Sequence, residues 1–153
     1  MTKFSSNPII LFLLCLIFIF LVDLFTQRPG AVSGNGNLGI IPLGISIIMF
    51  ILFGVALLKQ LKKLDLNRRT CVIILTVSLL FLLLSTVLEI RFVTNLVKDL
   101  GGPPTVESSE IYRFNWLNQG TNTMFVNAYT FLAFNTMITC FYMAFFLLRK
   151  KCL

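Results

Sequence analysis

Histidine is absent from this chain of 153 residues. That absence excludes a His-ligated metal or haem, and it excludes Ser–His and Cys–His catalytic pairs. Acidic side chains are scarce, six Asp and Glu against thirteen Lys and Arg, and none falls in the middle of an apolar run. A proton or cation relay across a membrane needs carboxylates at depth, so these charges offer little to a transporter. Of the four cysteines, Cys15 and Cys140 lie inside apolar runs, while Cys71 and Cys152 lie at their edges. None falls in the polar connections that read as external, and no Cys-x-x-Cys occurs. A disulfide framework and a thiol oxidoreductase site are both excluded on that pattern. No cofactor is expected. Asn-x-Ser/Thr sequons are also missing, which fits a bacterial plasma membrane.

The chain is rich in apolar length instead. Hydrophobic residues make up 57%, charged residues only 12%, and the mean hydropathy is +0.90. A helix needs about 20 apolar residues to cross a bilayer, and only helices satisfy their own backbone within such continuous runs. Four spans are predicted, at 8–25, 38–58, 71–90 and 123–148. Ser5, Ser6 and Asn7 offer N-caps ahead of Pro8, and Pro42 falls in the first turns of the second span. The expected fold is an all-α integral membrane bundle of four helices forming a single domain. Outer connections fall at 26–37 and 91–122, and an inner connection at 59–70.

Charge sets the orientation. Lys3, the KQLKKLDLNRR connection and the tail Arg149, Lys150, Lys151 place nine basic residues and one acid, Asp65, on one side. The other side holds Arg28, Arg91, Lys98 and Arg113 against Asp23, Glu89, Asp99, Glu107 and Glu110. Basic connections stay in the cytoplasm, so both termini are expected inside. A nucleic-acid partner needs a folded basic face, and the short inner connection has none. Ala31-Val32-Ser33 resembles a signal-peptide cleavage site, but Asp23, Arg28 and Pro29 hold it away from the apolar run. The first span is therefore read as retained.

The first outer connection, TQRPGAVSGNGN, reads as a flexible turn. The second begins as a helical continuation, RFVTNLVKDL, stopped by Gly101-Gly102 and Pro103-Pro104. Its remainder reads as a small cap on the outer surface, with Tyr112 and Trp116 suited to headgroup depth.

Carboxamides crowd the re-entry into the fourth span, RFNWLNQGTNTMFVNAYTF. At about 100° per residue, Asn115, Asn118, Gln119 and Asn122 fall in one helical sector, which Val126, Tyr129, Ala133, Thr136 and Cys140 continue inward. Asn127 and Asn135 lie off that stripe. Amides unpaired in lipid are costly, so the stripe should face other helices. The ordinary reading is interhelical packing against Ser78, Ser85 and Thr86 or against Gly44, Ser46 and Gly54. The functional reading is an outward polar pocket lined by Asn118, Gln119, Asn122, Asn127 and Tyr129. Asp23, Glu89 and Arg91 form a candidate charged network at the outer edge, with Asp23–Arg91 the geometrically reasonable pair.

Three classes of function compete. A membrane enzyme would show acid, base or nucleophile groups converging at one depth, and no spacing links the acids here. A channel or transporter subunit would need oligomers and richer polar content at mid-span. The remaining class is a non-catalytic accessory, sensing or protective (immunity-like) component. It would bind another membrane protein, a lipid or an extracellular peptide through the outer connection and the fourth span. That class is the expectation, with the bilayer as one partner and a second copy or another membrane protein as the other. The oligomeric transporter subunit is the alternative.

Overall fold

The computed structural model describes residues 7–31 and 36–149. Lys3, Ser5, Ser6, Val32, Ser33, Gly34, Asn35, Lys150, Lys151 and Cys152, each named in the sequence reading, lie outside the described residues. Among the described residues the chain is all-helical, with no strand and four long helices: α1 (Pro8–Phe25), α2 (Ile40–Lys63), α3 (Arg68–Asp99) and α4 (Ala128–Arg149). Each is long and apolar enough to cross a membrane.

Local chemistry explains where each helix begins and ends. The Asn7 side chain accepts the Ile9 N–H at 3.0 Å and Pro8 occupies the first turn of α1. α2 runs five residues past the predicted span because its lysine-bearing last turn is still a good helix former. It stops at Leu64, and Asn67 then caps α3 by accepting the Thr70 N–H at 2.8 Å. α3 extends to 32 residues, about 48 Å at 1.5 Å per residue. Its end is a Schellman motif. Gly101 takes φ +80° and donates to Lys98 O at 3.0 Å, while Gly102 donates to Val97 O at 2.9 Å.

α1 packs on α2, α2 on α4, and α4 on α3. Helices α2 and α3 are therefore not packed along their lengths, although a short connection joins them. α4 lies between them. Phe131 of α4 anchors a core cluster, with ring centroids 4.8 Å from Phe50 and 5.6 Å from Phe53. Phe12 of α1 joins the group at 5.9 Å from Phe131. A second cluster, around Leu61, Cys71 and Met143, lies where α2, α3 and α4 converge.

The amide-bearing segment departs from the expected geometry. Residues 110–121 are turns and bends, a 3₁₀ turn covers Asn122–Met124, and α4 starts only at Ala128. No helical stripe of Asn115, Asn118, Gln119 and Asn122 exists. The cause is local competition from side chains for backbone partners. Asn118 Nδ2 donates to Asn115 O at 2.7 Å, and Asn118 Oδ1 accepts the Gly120 N–H at 2.9 Å. The Thr121 hydroxyl accepts the Asn118 N–H at 3.1 Å and donates to Trp116 O. Each of these bonds rewards a turn over the helical ladder.

Candidate functional site

Three links tie the α1–α2 connection to the α3–α4 connection. The Gln27 N–H donates to Gln119 O at 2.7 Å. The Gly30 N–H donates to the Glu110 carboxylate, 2.8 Å from one oxygen and 2.9 Å from the other. Asn37 and Asn122 close a reciprocal amide pair, with Asn122 Nδ2 2.7 Å from Asn37 Oδ1 and Asn37 Nδ2 3.0 Å from Asn122 Oδ1. The described ends of the first connection are thus docked, where the sequence suggested a loose turn.

Behind these links is a cavity of about 750 Å³. Its polar lining includes Gln27, Arg28, Asn37, Glu110, Asn118 and Gln119. Its apolar wall is Leu100, Ile111, Phe114 and Leu117. The cap beneath is held by backbone and hydroxyl hydrogen bonds. Leu100 is 2% exposed, and its carbonyl accepts the Glu110 N–H at 2.9 Å. Ser109 donates to Gly102 O at 2.6 Å, which folds the segment after the Gly pair back over the end of α3.

Of the amides singled out from sequence, Asn118 and Gln119 line this cavity. Asn115 contributes its carbonyl to the Asn118 turn. Asn122 holds Asn37. Asn127 is the N-cap of α4: its Oδ1 accepts the Tyr129 N–H at 2.7 Å and the Thr130 N–H at 2.9 Å. The same amide donates to Glu89 Oε2 at 2.8 Å and so ties α4 to α3. Phe92 and Tyr129 pack beside that bond with ring centroids 6.2 Å apart. Asn135 donates to Phe131 O within its own helix at 2.7 Å, and its Oδ1 is buried without a partner among the described residues.

The charged network does not assemble. Asp23 and Arg91 form no ion pair, because α1 packs on α2 and the 3₁₀ turn while α3 packs on α4. The proposed hydroxyl partners also turn inward on their own helices: Ser46 donates to Pro42 O at 2.7 Å and Thr86 to Leu82 O at 2.8 Å. Gly54 is different, since it lies directly against Phe134 and Ile138 of α4.

Gln27, Arg28, Asn37 and Glu110 were not singled out from the sequence as site residues. Asn37 lies 85 residues from its partner, so no local spacing could join them. A smaller groove of about 340 Å³ between α2 and α4 is lined by Phe50, Phe125, Phe134 and other apolar side chains. Its one hydroxyl, Thr130, is already bonded to Asn127. It has no chemistry to select a ligand.

No family model, no curated protein and no solved structure matches this chain. The ground for a functional reading is therefore the cap and its cavity.

Proposed function

We propose that this chain is a multi-pass protein of the cell membrane that acts as a non-catalytic accessory, sensing or protective component and takes its ligand in the outer cap. Insertion is supported by the apolar side chains that the helices turn outward, such as Leu83 at 65% and Phe141 at 71% exposed. Water-facing surfaces of that extent are rare in soluble monomers. The orientation follows from the basic inner connection and tail, with both termini in the cytoplasm. Missing sequons support a bacterial membrane.

The observation that carries the binding reading is the cavity itself, lined by two connections that are bonded to each other at three places. Concave sites with an apolar wall and a few placed polar groups are where small ligands bind. A transporter or channel subunit is less well supported. The hydroxyls at depth spend their bonds on their own helices, Thr136 on Leu132 O and Thr139 on Asn135 O.

Sidedness is tested first. Thr105 is exposed in the outer connection. A cysteine placed there by Thr105→Cys should react with a membrane-impermeant maleimide on intact cells. Labelling that appears only after lysis refutes the orientation.

The cavity is tested by filling it. A Cβ at Gly120 would meet Asn118 Oδ1 and Leu100 Cδ2 at 3.5 Å, ordinary contact distance. Gly120→Ala should therefore complement a gene deletion under the envelope stress that exposes it. Gly120→Leu should fill the cavity and fail while still reaching the membrane. Should Gly120→Leu not accumulate, Ala31→Trp at the rim serves the same purpose. Full complementation by a cavity-filling variant refutes the reading.

A further inference from the structure

We infer that the cavity between the two outer connections is a headgroup site for an amino-phospholipid, with phosphoethanolamine chemistry. This rests on the binding reading above and names the ligand class. Three observations point the same way.

The first is an uncommitted cation. Arg28 lines the cavity, is exposed, and pairs with no acid among the described residues. A guanidinium matches phosphate oxygens through its planar fork. The second is a carboxylate with spare capacity. Glu110 accepts one backbone N–H from Gly30 through both oxygens. An ionised carboxylate offers about four lone-pair sites, so it can still receive an ammonium. A plain anion in this cavity would be drawn to Arg28 and repelled by Glu110, and a plain cation the reverse. A headgroup carrying both charges satisfies both.

The same carboxylate chooses between zwitterions. Its spare lone pairs accept N–H donors, so the cation of the occupant should carry them. The ethanolamine ammonium has three such donors. A quaternary choline has none.

The third observation is the apolar wall. Phe114 at 59% and Leu117 at 43% exposed line the cavity on either side of Trp116, itself 46% exposed. Aromatic and apolar side chains presented together on a membrane-proximal cap sit at headgroup depth. They give the acyl portion of a lipid a place to lie while its head fills the cavity. A free headgroup would leave them bare.

Trp116 is the single tryptophan and adjoins Leu117 of this wall in the chain. The full chain in a nonionic maltoside is titrated with dihexanoyl phosphatidylethanolamine, dihexanoyl phosphatidylcholine, dihexanoyl phosphatidylglycerol and O-phosphoethanolamine, reading tryptophan emission. The ethanolamine lipid should give a saturable shift. The choline and glycerol lipids should bind roughly ten-fold more weakly or worse, the effect of one lost hydrogen bond to a charged group. O-phosphoethanolamine should compete, but more weakly than the lipid. Arg28→Gln and Glu110→Gln should each weaken the ethanolamine lipid by a similar factor. Glutamine at 110 keeps one acceptor for the Gly30 N–H, and unliganded emission should be unchanged in both variants.

Equal affinity for ethanolamine and choline lipids overturns the assignment, as does indifference to both substitutions. O-phosphoethanolamine binding as tightly as the lipid removes the lipid as source. A dipeptide titrated alongside the lipids that saturates where the ethanolamine lipid does not makes the ligand a peptide and also overturns it. If the lipid fails while Gly120→Leu still abolishes complementation, the ligand assignment falls and the cavity's role stands.

Discussion

Asn37→Ala is expected to destabilise the folded chain by roughly 2–4 kcal/mol, a large loss for a half-buried loop residue. The loss arises at the partner. Asn122 is 0% exposed, and its amide donor and acceptor are both engaged by Asn37. Removing Asn37 leaves a buried donor and a buried acceptor unpaired at once, and each orphan costs about 1–3 kcal/mol. The space around Asn122 leaves no room for a compensating rearrangement. A Cβ on Gly39 would collide with the Asn122 amide, so the amide lies directly on the α-carbon of Gly39.

The double variant Asn37→Leu/Asn122→Leu separates this account from simple packing. Leucine has the branched outline of asparagine without its polar atoms. Replacing both members of a hydrogen-bonded pair with apolar groups of similar shape can be nearly neutral. The pair should therefore recover most of the stability that Asn37→Ala loses, and each single leucine should not. Unfolding by SDS titration from mixed micelles measures the cycle. Deuterium uptake at the Gln27 and Gly30 amides adds a local readout, since both N–H groups bond across the two connections. If Asn37→Ala shifts the midpoint no more than Thr105→Ala, the amide pair does not hold the cap.

The helices were legible in the sequence because each carries its own signals. Pro8 after Asn7 starts α1, and Gly101-Gly102 ends α3 with the left-handed residue a Schellman motif needs. Apolar length did the rest. The cap was less legible, for a physical reason. Helical periodicity assumes that backbone groups bond to each other, and between Asn115 and Thr121 side chains take those partners. The stripe was thus an arithmetic property of residue spacing with no helix beneath it. Long-range pairing was hidden as well. Asn127 stands out as an amide within an apolar run, yet its link to Glu89 depends on α4 packing against α3 rather than on any spacing. The same packing order separates Asp23 from Arg91. The cavity needed both connections in place before Arg28 and Glu110 could be recognised as parts of one site.

Leucine placed at two glycines of α2 should act with opposite signs. Gly54→Leu is expected to lower stability by roughly 2–3 kcal/mol, whereas Gly44→Leu should raise it by about 0.5–1 kcal/mol. The intrinsic term is the same at both sites, because leucine is the better helix former. Surroundings decide the outcome. At Gly44 a new Cβ meets nothing within 4 Å, so the side chain projects freely from the helix. At Gly54 it would stand 2.7 Å from Ile138 Cδ1 and 3.1 Å from the Phe134 ring. The Ile138 tip can swing aside, so Gly54→Ala should be close to neutral. Phe134 is less free, because its ring packs against the cluster built on Phe50 and Phe131. A full leucine must therefore push α4 off α2, and close approach through small residues is what holds helices together in a bilayer. The same SDS titration orders the three variants, and a Gly54→Leu midpoint equal to that of Gly44→Leu would mean that α2 and α4 are not in contact there. Since α4 lies between α2 and α3, loosening this contact should also loosen the 3₁₀ turn that carries Asn122 into the cap, so Gly54→Leu should increase deuterium uptake at Gln27 where Gly44→Leu does not.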